Sequence, residues 1–438
     1  MSRRIPSTLR EWWFGAVPED WRAVPLKHLC DRSSLYGANI PAEMYESDGV
    51  RFLRTTDIGE DGTLGADGVF VPRELVAESI LAEGDFLISR SGTVGRGFVY
   101  RETDGPCSYA GYLVRYVLND KRSASWLFYV TKSAPFAVWL GASAIEATIG
   151  NVNGEKYANL VLPVPPFEFQ RAISDFLDRE TARLDALVTA KQRVLGLLAE
   201  KRKALIAAAV TRGLDPQVKL RESGVPWLGE IPGHWELWKV GHLAKVGNGS
   251  TPERDKVAYW SGGSFPWLNS SVVNQEEVTS SDQFVTDAAL RQCHLPRLRP
   301  GTVLVAITGQ GKTRGQAVVL SIEATINQHI AFVAPDPPLL DAWFLRWTFY
   351  RAYDYLRSIS DDAGGTKGAL TCEDVAGLNI PLPPPDEQRT IVAHIARETA
   401  KLDAVRAATE RTITLLKERR SALIAAAVTG QLDVGAAA

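Results

Sequence analysis

VLPVPPFEFQRAISDFLDRETARLDALV (Val161–Val188) and NIPLPPPDEQRTIVAHIARETAKLDAVR (Asn379–Arg406) are one passage written twice. Gln388 lies 218 residues after Gln170, and that offset then holds without a gap. Glu180-Thr181 falls on Glu398-Thr399, and Leu184-Asp185 falls on Leu402-Asp403. ALIAAAVT from Ala204 recurs from Ala422, and Leu214-Asp215 recurs as Leu432-Asp433. The match is an internal duplication, with a period far longer than the roughly 20–50 residues of a solenoid repeat.

Working outward, each copy opens on prolines: Pro163, Pro165 and Pro166 in the first, Pro381 and Pro383–Pro385 in the second. Proline lacks an amide donor and disfavours helix before it, so an extended segment ends there. A long helix is predicted to follow. With Leu177, Leu184, Lys191, Leu198 and Leu205 as a positions, the d positions are Ile173, Glu180, Leu187, Val194, Lys201 and Ala208. The second copy places Ile395, Leu402, Thr409, Leu416 and Leu423 at a, and Ile391, Glu398, Val405, Thr412, Arg419 and Ala426 at d. A seam kept over about five heptads predicts a coiled coil. Its helix–helix contacts are expected at Leu177, Leu184, Leu198, Leu205, Ile395, Leu402, Leu416 and Leu423. Each helix covers about 43 residues, or about 65 Å at 1.5 Å per residue. That length can hold two domains about one or two DNA turns apart. A two-helix seam alone leaves a face bare, which leaves room for partner helices.

Upstream the repeat is fainter. WFGAVPEDW (Trp13–Trp21) resembles WLGEIPGHW (Trp227–Trp235), and EGDFLISRSG resembles PGTVLVAITG. Between these anchors the halves diverge, so each half is a variable globular block followed by a closely matched helix. The blocks, 22–165 and 236–380, carry short apolar runs punctuated by Gly and Pro. RFLRT, DFLIS, GFVY and YLVRYVL in the first, and FPWLN, TVLVAI, AVVL and HIAFVA in the second, are predicted strands. Shorter helices are predicted at Ser123–Leu140 and Pro337–Leu356. The fold class is mixed α/β: two β-rich heads on two long helices forming a coiled coil, with pseudo-two-fold internal repetition.

Polar donors cluster just after the predicted strands. The first block offers Arg54, Thr55 and Thr56, then Arg90, Ser91, Thr93 and Arg96. The second offers Asn269, Ser270 and Ser271, then Thr308, Gln310, Lys312 and Arg314. Arg and Lys suit guanine and phosphate, Asn and Gln suit adenine, and glycines beside them let backbone approach a ligand. Each residue taken alone also fits a polar turn between strands. The matching place of the loop in both blocks is what favours a binding surface.

Other chemistry is weakly supported. Net charge is −2, which neither demands nor forbids nucleic acid, because a local basic face suffices. Cys30, Cys107, Cys293 and Cys372 lie far apart, without Cys-x-x-Cys spacing, so no disulfide framework or zinc site is expected and a reducing cytoplasm fits. His234, His242, His294 and His329 lack metal-ligand spacing. AITGQGKT (Ala306–Thr313) fits a loose phosphate-loop pattern, but RGQAVVL after it reads as strand where that motif needs a helix. The N-terminal segment has basic residues without an apolar stretch, so a secretory signal is not expected. Apolar runs such as ALIAAAV are too short to span a membrane. No metal, nucleotide or other cofactor is expected, and the chain is expected to be non-catalytic.

The layout of a recognition block, a PLPPxxEQ-type segment and a long helix, all repeated, resembles type I restriction–modification specificity subunits. Here the segment is Pro381-Leu382-Pro383-Pro384-Pro385-Asp386-Glu387-Gln388, and VGNGSTP (Val246–Pro252) is similar to the family's first recognition segment. In the first copy Phe169 stands where a glutamate precedes the glutamine. The resemblance covers nearly the whole chain. It implies that each head reads one half of a split double-stranded DNA target. It implies that the helices pair antiparallel as a spacer and dock two modification subunits. Those subunits would supply S-adenosylmethionine-dependent adenine methylation, and restriction subunits ATP-driven translocation and cleavage.

The implied divisions are a first recognition domain at 1–166, a central spacer helix at 167–212, a second recognition domain with linker at 213–384, a C-terminal spacer helix at 385–430 and a tail at 431–438. Two alternatives stand beside this reading. One is a specificity module of a type II-like methyltransferase–nuclease, which neighbouring genes would distinguish. The other is a two-headed scaffold that binds proteins, which a shallow salt response would distinguish.

Overall fold

A computed structural model describes residues 17–145, 151–309, 312–361 and 368–434. The chain divides into two compact units, Met1–Gln192 with Glu410–Ala438, and Arg193–Thr409. Each unit therefore holds one head and a stretch of both long helices.

In the first unit the chain runs through β1 (Arg22–Pro25), β2 (Cys30–Tyr36), β3 (Val50–Leu53), β4 (Val69–Val71), β5 (Phe86–Ser89), β6 (Gly97–Val99), β7 (Cys107–Tyr109) and β8 (Leu113–Leu118). Helices α1 (Ala124–Thr131), α2 (Ala134–Ile145) and α3 (Gly154–Ala158) follow, then β9 (Val161–Val164) and the long α4 (Phe167–Arg212). One sheet has the order β2-β8-β5-β6 and a second β4-β3-β7, the pair β3–β7 being parallel. A ribbon of β1 against β9 pairs Arg22 with Val164 and Pro25 with Val161, closing the head at its base.

In the second unit a hairpin of β10 (Leu220–Glu222) and β11 (Glu230–Pro232) precedes β12 (Glu236–Lys239). Next come α5 (Val240–Leu243), β13 (Ala244–Asn248), α6 (Val257–Trp260), β14 (Phe265–Leu268), β15 (Glu277–Val278), β16 (Phe284–Val285) and α7 (Asp287–Gln292). Then follow β17 (Val303–Ala306), β18 (Ala317–Leu320), β19 (Thr325–Ile326), β20 (Ile330–Pro335), α8 (Ala342–Asp361), α9 (Cys372–Gly377), β21 (Asn379–Leu382) and α10 (Pro385–Val428). The sheets run β13-β20-β17-β18-β15 and β16-β14-β19, and β12 pairs with β21. Apart from the extra edge strand β15, this is the strand order of the first head. The predicted apolar runs all become strands because their side chains fill the cores. Phe86, Tyr116 and Trp126 anchor one core, and Trp235, Val303 and Phe344 the other. Each large side chain so buried contributes about 1.5–3 kcal/mol.

The glutamine after the prolines explains how the helices start. Gln388 is fully buried. Its Nε2 donates to Pro383 O and Leu339 O, both at 2.9 Å, and its Oε1 accepts from Asp341 N at 2.8 Å. One amide thus holds the proline turn, the first turn of α10 and the start of α8. Gln170 does less, donating from Nε2 to Pro165 O at 3.0 Å. Glu387 pairs with His234 at 2.9 Å, whereas Phe169 in its place is exposed.

Within the first unit, Ile173 and Leu177 of α4 share a core with Ile424, Ala427 and Val428 of α10. Within the second, Ile206, Ala209 and Val210 share one with Ile391 and Ile395. Among the a positions, Leu177, Leu184 and Ile395 are buried, and Leu198, Leu205, Leu402, Leu416 and Leu423 are half-buried. The d positions divide: Ile173 and Ile391 are buried, but Leu187, Val194 and Val405 are exposed. Along the middle of the helices the e set takes their place, with Thr181, Val188, Leu195, Thr399 and Ile413 buried or half-buried. The reason is local. Thr181 Oγ1 donates to Leu177 O at 2.6 Å and Thr399 Oγ1 to Ile395 O at 2.7 Å. A hydroxyl satisfied by its own helix leaves a methyl to pack, so threonine behaves as an apolar residue there.

Candidate nucleic-acid interface

In the first head, β5 ends at Ser89 and the chain returns as β6 after a tight loop. The Ser89 hydroxyl accepts from Arg96 N at 2.8 Å and donates to Thr93 O. Gly95 has φ +85°, and a Cβ there would lie 2.4 Å from Leu140 Cδ2, so the turn requires glycine. Arg96 Nη1 donates to Ile58 O at 2.6 Å, joining this loop to the one after β3. That second loop is fixed by buried Asp57, which takes both Arg54 Nε at 3.0 Å and Arg54 Nη2 at 2.7 Å. The loops containing Arg54–Thr56 and Arg90–Arg96 therefore meet. Thr56 and Thr93 are exposed; Arg54, Thr55, Arg90, Ser91 and Arg96 are partly so.

The turn from β7 into β8 completes this edge. Ala110 N donates to Leu53 O and Arg90 N donates to Tyr112 O, each at 2.9 Å. The Arg90 guanidinium lies 4.9 Å from the Tyr36 ring centroid. Tyr36 and Tyr112 are both exposed, a basic and aromatic surface suited to phosphate and bases.

The second head builds the corresponding edge from different side chains. Asn269 caps the short 3-10 turn Ser270–Asn274, accepting from Ser271 N at 2.9 Å. Asn327 N donates to Leu268 O at 3.0 Å, so the turn from β19 into β20 abuts this cap. Thr308 Oγ1 lies 2.8 Å from His329 Nδ1, tying in the loop after β17. Lys312 is exposed. Arg314 is buried, with Nη1 donating to Gly368 O. Gln310 lies outside the described residues. Among the described residues the element that follows β17 is strand β18, where a phosphate loop would lead into a helix.

The residues that sequence reasoning missed lie in the turns before the central strands: Tyr112 in one head, Gln328 and His329 in the other. Donor-rich runs in the sequence follow the strands and draw attention there. The signal was present in the second head alone, where Asn327-Gln328 directly precedes HIAFVA; YLVRYVL follows Tyr109-Ala110-Gly111.

Two charged clusters flank the heads. In the first unit a cleft of about 940 Å³ is lined by Arg96, Lys132, Asp185, Lys417 and Arg420. Burial, reinforced by Arg96 and Arg420, pushes the Lys132 ammonium down to about 8. Arg420 Nε is 3.0 Å from Asp185 Oδ1. In the second unit Arg202 Nη1 is 2.9 Å from Asp403 Oδ2 and also contacts Glu276. Glu276 lies 3.9 Å from Arg346, whose guanidinium burial pushes down to about 10. Among the described residues no group of His, Cys, Asp and Glu could hold a metal ion, and no helix is long and apolar enough to cross a membrane.

The comparisons with known proteins agree with this layout. Residues 232–410 match the family model of the type I restriction modification DNA specificity domain. The chain is 21% identical over 433 residues to the Salmonella potsdam type I restriction enzyme StySPI specificity subunit, covering 95% of this chain and 90% of the relative. It is 21% identical to the Escherichia coli K12 EcoKI specificity subunit, again over 95% and 90%. Its fold is similar to a solved chain of a type I R-M system, with TM-score 0.75 at 18% identity and coverage of 95% and 100%. It is also similar to the HsdS subunit of Thermoanaerobacter tengcongensis, with TM-score 0.60 at 19% identity and coverage of 95% and 98%. Along nearly its whole length the chain is thus similar to type I restriction–modification specificity subunits, with residues 232–410 matching that domain's family model.

Proposed function

We propose that this chain reads an asymmetric, bipartite double-stranded DNA target, one half-site per head, and catalyses no reaction itself. One observation carries the reading: each head brings the same three segments to one edge, yet lines them with different side chains. In one head these are Tyr36, Arg90 and Tyr112; in the other Thr251, Thr308, Gln328 and His329. Equal scaffolds with unequal surfaces fit unequal half-sites. Of the residues singled out from sequence, Thr56, Thr93, Ser271 and Lys312 are exposed enough to reach DNA directly. Arg54, Arg96 and Arg314 act mainly by shaping the loops.

The long helices, in this reading, pair antiparallel as a coiled-coil spacer in a duplicated chain. Supporting this, adding 218 to Asp185 gives Asp403, and adding 218 to Arg202 gives Arg420. The same ion pair thus occurs in both units with its partners exchanged between helices. Exposed apolar side chains recur likewise: Leu187 and Val405 are separated by 218, as are Leu197 and Leu415. Such repeated apolar surface on a charged helix suits two copies of a modification subunit. Those subunits would bring S-adenosylmethionine and methylate adenine, and restriction subunits would join in the cytoplasm with ATP-driven translocation.

The test is methylome sequencing of the host with and without the gene. The expected result is loss of one asymmetric motif made of two half-sites and a gap; a palindromic uninterrupted motif contradicts the proposal. Binding by the assembled complex should also weaken steeply with salt, where a protein-binding scaffold would show a shallow response.

A further inference from the structure

The turn Asn327-Gln328-His329 is fixed along its backbone. Asn327 Oδ1 accepts from His329 N, and Ile307 N donates to His329 O, both at 3.0 Å. Gln328 is exposed, but its amide is held on two sides. Thr251 Oγ1 donates to Gln328 Oε1 at 2.7 Å, and Gln328 Nε2 lies 3.4 Å from His329 Nε2. The imidazole is itself set by Thr308 at 2.8 Å on Nδ1. Thr251 reaches this place because Gly249 packs on β19: a Cβ there would fall 1.8 Å from Ile326 O.

A carboxamide has two acceptor lone pairs and two N–H donors. Thr251 occupies one lone pair of Oε1, and Nε2 donates one N–H to His329 Nε2 when the ring proton sits on Nδ1, facing Thr308 Oγ1. One donor and one acceptor are left side by side, which is the complement of the adenine N6 and N7 edge in the major groove. Because the side chain is already oriented, binding costs little rotamer entropy.

The first head repeats the place with the residues exchanged. Gly37 packs on β7, where a Cβ would fall 2.1 Å from Tyr109 O. Two residues on stands Asn39, as Thr251 stands two residues after Gly249. The turn residue is now Gly111, whose added Cβ would lie 2.4 Å from Asn39 Oδ1. Each head thus carries one carboxamide at this spot, from the strand side in one and from the turn side in the other.

We propose that Gln328 reads an adenine in the half-site bound by the second head, with Thr251 and His329 as positioning residues. The inference rests on the DNA-reading function proposed above. The experiment measures binding of the assembled methyltransferase complex to duplexes varied one base pair at a time across both half-sites. Gln328→Ala is expected to weaken cognate binding about 5- to 150-fold and to abolish discrimination at one adenine position in one half-site. Gln328→Glu, which only accepts, is expected to move the preference there toward cytosine. Thr251→Val is expected to relax the same position partly and leave the other half-site strictly read, an outcome that general loss of structure does not give. Unchanged affinity and preference at every position in Gln328→Ala, or relaxation in the other half-site, overturns the inference. A wild-type complex without two half-sites would instead overturn the reading beneath it.

Discussion

The heads and the long helices repeat in different ways. In the helices the side chains recur: Asp185 with Arg420 in one unit is Asp403 with Arg202 in the other. In the heads only the strand order recurs, and the exposed residues at the shared edge differ. The part that repeats residue by residue is the part that would meet two copies of one partner. The part that repeats only as a scaffold is the part that would meet two different DNA sequences. Even the repeated elements differ in how completely they are satisfied, and that gives ways to probe the comparison.

The largest expected effect is at the proline turn. Gln388→Ala removes three hydrogen bonds and leaves Leu339 O, Asp341 N and the buried Pro383 O without their partner. It should destabilise the chain by about 3 kcal/mol in denaturant unfolding. Gln170→Ala, losing a single bond to Pro165 O, should cost about 1 kcal/mol. Equal losses would break the claim that the second copy is the more tightly built.

A middle effect is expected at the helix arginines. Glu276→Gln leaves the buried Arg346 guanidinium without its counter-charge and should cost about 1–2 kcal/mol, moderated by the exposure of Glu276. Arg346→Met should change stability by less than about 1 kcal/mol, because two guanidinium nitrogens of Arg346, Nε and Nη1, are buried without a hydrogen-bond partner. A loss from Arg346→Met larger than from Glu276→Gln would contradict this assignment of roles.

A further effect is a pH dependence that originates in the first unit. Lys132 is lowered in the folded chain from 10.5 to about 8. The unfolded chain holds that proton more tightly, so folding stability should rise as pH climbs from about 8 to about 10.5. Stability curves of the wild type and Lys132→Met over that window should converge as pH rises. Parallel curves would show that the cleft does not depress this group.

Much of the scaffold was legible because periodicity reports burial. The alternating runs such as YLVRYVL became sheet strands, and the heptads placed Leu177, Leu184 and Ile395 inside. The d face was misread at Leu187 and Val194 because polarity was judged by residue type, while Thr181 and Thr399 hide their hydroxyls in their own helices. The parallel pairs β3–β7 and β14–β19 were invisible, since pairing between distant segments leaves no local pattern. The same limit governs the interface. Loops after β5 and β17 could be picked out by their donors. That Arg314 turns inward, or that Thr251 meets Gln328 across 77 residues, depends on long-range contacts that periodicity does not encode.

The proposal at stake is that each head reads its own half-site and that helix length sets the gap between the half-sites. Inserting four residues between Gln192 and Arg193 in α4, with a matched four between Thr409 and Glu410 in α10, leaves the packing inside each unit untouched. Four helical residues make about one turn and add about 6 Å, nearly two base pairs. Sequencing the methylation motif of the inserted protein in its assembled complex is the most direct measurement. The account predicts both half-sites unchanged and the gap between them longer by about two base pairs. An active complex whose gap is unaltered would contradict it.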